Sequence, residues 1–142
     1  MMATITVNVK QVNDATSEGT ARDHKVLIDR PAAKNGYDAG AMGGELLLMA
    51  LGGCFMSNLL AAIRARDEVN ISAISVDVVG TKEDTPDHFS AVELQISAAY
   101  DDPAQMEKLV TIAERGCLVA NTLRNAVSLS FTIRPAVGTP HA

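Results

Sequence analysis

Eighteen consecutive residues, 46–63 (LLLMALGGCFMSNLLAAI), carry no charge, and this run between Glu45 and Arg64 limits the folds open to the chain more than any other feature. About 18 to 20 uncharged residues are enough to cross a hydrocarbon core. The interior of the run, however, holds Gly52, Gly53, Ser57 and Asn58, its flanks show no aromatic belt, and the chain offers no second span or strongly basic loop to set an orientation. The run therefore reads as a helix starting near residue 44, apolar on every face and buried in a core or a subunit interface. A 142-residue chain covers such a helix only in part, so a second copy is expected to complete the burial as a homodimer.

The flanking segments have the period of strands. Residues 4–12 (TITVNVKQV) alternate Ile5, Val7 and Val9 with polar neighbours, and 24–29 (HKVLID) form a second short strand that stops at Pro31. The polar stretch between them, NDATSEGTARD, is rich in turn formers, so the two strands are expected to make a hairpin or meander. Residues 71–82 and 89–100 read as a long antiparallel hairpin around EDTPDH. Next comes a helix with Asp101 or Asp102 as its N-cap, Pro103 at its first position and Gly116 as its stop. A shorter helix follows over 117–127, then a strand over 128–135 with Leu129, Phe131 and Ile133 on one face. Helices and strands are segregated, which predicts an α+β fold in one domain spanning residues 1–142, with a frayed tail from about 136.

A net charge of −5 without blocks of like charge argues against a nucleic-acid partner. The start, MMATITVNVKQ, does not read as a secretory leader, so a reducing cytoplasm is the expected compartment. His24, His88 and His141 are scattered, and neither they nor the cysteines have the spacing of a metal site; nucleotide-binding glycine motifs are also missing. Neither a metal nor a bound cofactor is expected. That leaves Cys54 and Cys117. A thiol within an apolar helix has its pKa raised by burial, so Cys54 can serve as a nucleophile only if a cation beside it stabilises its thiolate. Arginine suits that role, and Arg22, Arg30, Arg64 and Arg66 are the candidates. Cys117 opens a helix directly after Gly116, where unpaired amides favour a thiolate, so by position alone it is the more acidic thiol.

With these elements assembled, the chain resembles the OsmC/Ohr family, the osmotically inducible and organic hydroperoxide resistance proteins. GGELLLMALGGCFMSNLL is similar to the family's P-x-E-L-L-L-A-A-L-G-x-C helix, AERGCLVANTLRNAV to its second-cysteine segment C-P-V-x-x-T-L, and LIDRPAAKNGYDAG to the loop before the helix. The resemblance implies antiparallel sheets around a long buried central helix in an intertwined homodimer, with active sites at the subunit interface. It also implies thiol-dependent reduction of organic hydroperoxides. Cys54 would attack the peroxide and become a sulfenic acid, Cys117 would close a disulfide, and an external dithiol or lipoyl-type reductant would reopen it. ARDHKV is similar to the family's G-R-D-G-R-V stretch, which makes Arg22 the helper arginine and Arg30 its reserve. Leu51 and Phe55 would bind the apolar tail of the substrate.

Three positions depart from the pattern. Glu45 stands nine residues before Cys54, where the peroxidase branch has its glutamate at ten, and nine residues of helix turn roughly 180°. It acts in catalysis, or it favours the helix N-terminus by its charge. Gly43 and Leu118 occupy positions where the family has proline. These departures keep two alternatives open: a binder of small apolar or acyl ligands with little peroxidase turnover, and a structural stress protein whose cysteines only pack.

Overall fold

The uncharged run forms most of helix α1 (Gly43–Arg64) in the computed structural model, which describes residues 2–125 and 127–135. Three strands precede the helix: β1 (Asn8–Gln11), β2 (Ser17–Ala21) and β3 (His24–Ile28). Strands β4 (Ile71–Glu83) and β5 (His88–Tyr100) follow it, then α2 (Pro103–Arg115) and α3 (Leu118–Arg124). The strands make two antiparallel sheets, one ordered β1-β2-β3 and the other the β4-β5 hairpin. This is the expected α+β arrangement of antiparallel sheets around a long helix.

Two strand assignments are corrected. β2 lies within the stretch read as turn-forming, and β1 and β3 each pair with β2 and not with one another. Polar SEGTA becomes a strand because both neighbours supply it with ladder partners, a tertiary effect that outweighs its weak intrinsic preference. β1 is also shorter than the alternation suggested, and Ile5 and Val7 before it are exposed. Residues 128–135 form no strand; Leu129, Phe131 and Ile133 are 77, 90 and 97% exposed. Alternation specifies a face, but a strand also needs a sheet edge beside it, and the described part of the chain brings none to this segment. The tail from 136 lies outside the described residues.

Among the described residues, the chain covers one stripe of α1. Leu51, Phe55, Leu59 and Ala62 recur at helical spacing and are buried against Leu109, Ala113 and Cys117. The inward row of the hairpin, which includes Ile74, Val76, Val78, Val92, Leu94 and Ile96, packs on the same cluster. Helix and sheet approach closely at Gly52, where a β-carbon would lie 2.8 Å from a Val78 methyl. Leu47, Ala50, Gly53, Ser57 and Ala61, on the other side, are exposed. The helix is long and apolar enough by composition to cross a membrane, yet within this fold it is the central core element.

Asp29 ties the N-terminal sheet to the loop that delivers α1. Its buried carboxylate accepts from Thr16 Oγ1 at 2.9 Å, from the Arg30 amide at 2.7 Å, and from the Tyr37 and Ala39 amides at 3.2 Å each. Burial by itself raises the pKa of this group, but the four hydrogen bonds together outweigh it and hold the carboxyl below the ordinary aspartate range. A depressed carboxyl stabilises the fold above its unfolded pKa of about 3.9, and that contribution is lost as the pH falls through the lower folded value. Protection of the Tyr37 and Ala39 amides against hydrogen exchange should therefore hold at neutral pH and be lost only as the pH falls below the ordinary aspartate range, with Asp29→Ala lacking it at every pH.

Candidate active site

Cys54 lies halfway along α1, beside the corner where α2 ends and α3 begins. The α2 helix is firmly delimited: Asp102 Oδ1 caps it through the Ala104 and Gln105 amides at 3.1 and 3.2 Å, Pro103 occupies the first turn, and Gly116 ends it. Cys117 follows as the N-cap of α3 and is fully buried in the core cluster. The first amides of a helix have no partner within it. Here those of Val119 and Leu118 turn toward the sulfur of Cys54. Cys54 is partly exposed, and both cysteines are free thiols.

The two thiols therefore differ in acidity, in the opposite sense to that expected from position along the chain. The Val119 amide contributes most to holding the Cys54 thiol below its ordinary pKa; the Cys117 S–H and the Leu118 amide add to it, and partial burial opposes them. Burial pushes the Cys117 thiol up, with a smaller rise from the neighbouring Cys54 and a partial offset from the Ala120 amide. The helix start does favour a thiolate, but that thiolate belongs to Cys54. Sequence placed the unpaired amides correctly at 118–120 and could not show which sulfur they would face. Alkylation of Cys54 should accordingly reach half its maximal rate below the ordinary thiol pKa, here 9.0. Cys117→Ala, which removes one donor, should move that midpoint upward.

A family model for OsmC-like proteins matches residues 36–132, a span containing α1, both cysteines and the β4-β5 hairpin. The chain belongs to the OsmC-like family. Among solved structures it is similar to an OsmC-like protein from Mycoplasma pneumoniae (TM-score 0.74, 15% identity, covering 87% of this chain and 89% of that one). An OsmC-like protein of unknown function from Vibrio cholerae is also similar (0.67, 17% identity, 84% and 93%). The organic hydroperoxide resistance protein OhrB of Bacillus subtilis is a third (0.57, 20% identity, 84% and 89%). At these identities the likeness is one of fold. No curated protein sequence matches the chain.

Of the remaining expected site residues in this OsmC-like chain, Leu51 and Phe55 share the core cluster of Cys117, whereas Glu45 and Arg22 lie outside it. Glu45 sits at the third position of α1, where its Oε1 accepts the Met42 amide at 2.8 Å, the helix-capping role. It borders a cleft of about 610 Å³ that also involves Met49, Gly53 and Met56. Arg22 occupies the two-residue turn between β2 and β3 with φ of 56°, and its exposed guanidinium lies 3.4 Å from His24 Nε2. Neither Arg22 nor Arg30 is among the groups that shift Cys54. Leu51 and Phe55, the expected tail-binding residues, line a crevice of about 420 Å³ that ends on Cys117. Val92, Leu94, Ile96 and Val110 complete its apolar walls, and Arg124 pairs with Glu114 at 3.4 Å along its lining. Val119 is the site contributor that sequence reasoning missed, because it acts through its backbone amide, which any residue but proline supplies.

Proposed function

We propose that this protein is a thiol-dependent peroxidase that reduces organic hydroperoxides to alcohols. The observation that carries this reading is the packing of two free thiols in one core cluster, of which the partly exposed one has its pKa lowered and the other is fully buried. Cys54 thiolate attacks the terminal peroxide oxygen, the O–O bond breaks, and the alkoxide takes a proton to leave as the alcohol. Cys54 is then a sulfenic acid. The Cys117 sulfur attacks it, an S–S bond forms, and water departs. A dithiol of the lipoyl type returns both thiols by exchange and is itself oxidised to a disulfide. A reducing cytoplasm supplies such dithiols.

The apolar walls around Leu51 and Phe55 favour an alkyl or acyl tail over hydrogen peroxide. The chain works as a homodimer in this reading, which the exposed apolar side of α1 supports, together with exposed Leu118, Leu123, Leu129 and Phe131. A second subunit is also the route by which Arg22 or Arg30 reaches Cys54.

The test is to mix reduced protein with one equivalent of an alkyl hydroperoxide and count free thiols and alcohol. Two thiols lost per chain with one alcohol formed is the expected result. If both thiols survive, the binder of apolar or acyl ligands takes precedence, a reading that Glu45 favours by being engaged as a helix cap.

A further inference from the structure

Asn58 stands one turn after Cys54 on the same face of α1, as residues four apart on a helix do. Its Nδ2 donates to the carbonyl of Ala113 at 3.2 Å. That carbonyl lies in the last turn of α2, where a continuing helix would pair it with the amide of Cys117. The Cys117 amide instead donates to the Glu114 carbonyl at 3.1 Å, and Gly116 donates to Ile112 at 3.2 Å. Asn58 thus supplies the partner that the tightened corner withdraws. This is the one side-chain hydrogen bond among the described residues that crosses from α1 to α2 or α3.

We propose that Asn58 is a positioning residue: by holding the Ala113 carbonyl it fixes the α2-α3 corner so that the amides of Leu118 and Val119 and the sulfur of Cys117 face Cys54. The inference rests on the two-thiol chemistry above for its use, while its test needs no peroxide. Ala113 is buried, so a lost partner there leaves an unsatisfied acceptor, and the corner relaxes to satisfy it. Of the titratable groups near the corner, only Cys117 acts on Cys54; Glu114 and Arg124 pair with each other.

The experiment follows the ultraviolet absorbance of the Cys54 thiolate against pH, and the rate of disulfide closure by a general thiol oxidant, in Asn58→Leu. The titration should move upward, and closure at neutral pH should slow by about tenfold, the effect of one pKa unit on the thiolate fraction. Asn70→Leu is the control: it removes the 3.2 Å bond from Asn70 Nδ2 to Asp101 and should leave the titration in place. An equal shift in that control would mean general loosening and would overturn the proposal, as would an unshifted titration in folded Asn58→Leu. If Asn58→Leu does not fold, Asn58→Ser decides: it keeps a polar side chain on α1 but shortens it out of reach of the Ala113 carbonyl that Asn58 Nδ2 holds at 3.2 Å. An upward shift there upholds the positioning role, and no shift removes it. A wild type inert to peroxide whose titration still depends on Asn58 would end the peroxidase reading and leave this one standing.

Discussion

Cys54→Ser should reduce the consumption of alkyl hydroperoxide to background, whereas Cys117→Ser should still consume one equivalent and then stop with a sulfenic acid on Cys54. The asymmetry follows from burial and acidity together. Cys117 is inaccessible and its thiol is pushed up, so it offers little thiolate to a peroxide arriving from outside. Cys54 is reachable and its thiol is held down. The serine hydroxyl at 117 can still donate toward the Cys54 sulfur, so the first step survives this substitution while the second has no sulfur with which to proceed. A dimedone-type label and intact mass distinguish the trapped acid from a disulfide. Equal loss of reactivity in both variants would mean that the two sulfurs act as one unit from the first step, and the order proposed here would have to be given up.

The second large effect concerns the uncovered stripe of α1. Leu60 is 40% exposed and sits on that side of the helix, away from the Leu59 row that its own chain buries. Leu60→Glu should convert the proposed homodimer into a monomer at micromolar concentrations. An unpaired charge forced into an apolar interface costs about 3 kcal/mol or more, and at 1.4 kcal/mol per decade this weakens association at least about hundredfold. Sedimentation of the variant beside the wild type reads the outcome. Because the altered side chain does not touch the chain's own core, its thermal transition should keep its cooperativity while becoming independent of, or less dependent on, protein concentration. A wild type that sediments as a monomer would remove the dimer from the proposal.

Much of this molecule was readable from residue pattern. The uncharged run gave α1 because eighteen residues with helical composition leave few alternatives, and Asp102, Pro103 and Gly116 bounded α2 through local capping chemistry. The long hairpin followed from alternation on both sides of a Pro-containing turn. What escaped were decisions made by partners distant in sequence. SEGTA is a strand only because β1 and β3 flank it, and 128–135 has the alternation of a strand but nothing described beside it to pair with. The site divides in the same way. Both cysteines were evident, but the stabilising groups are backbone amides of Leu118 and Val119, and no side-chain motif advertises an amide. Searching for a cation near Cys54 led to Arg22, whose left-handed backbone serves a tight turn in this chain.

That arrangement has a consequence for the life of the polypeptide before it is complete. The groups that make Cys54 acidic lie more than sixty residues downstream of it, on α3. A ribosome-bound chain that has emitted α1 but not yet α3 carries an ordinary, weakly ionised cysteine there. The same holds for a damaged copy in which the α2-α3 corner has come away from α1. In the proposed peroxidase reading, oxidant sensitivity is thereby reserved for finished protein: a nascent or failing copy offers peroxide no privileged sulfur, and so has less chance of being locked by misplaced oxidation before chaperones or proteases reach it.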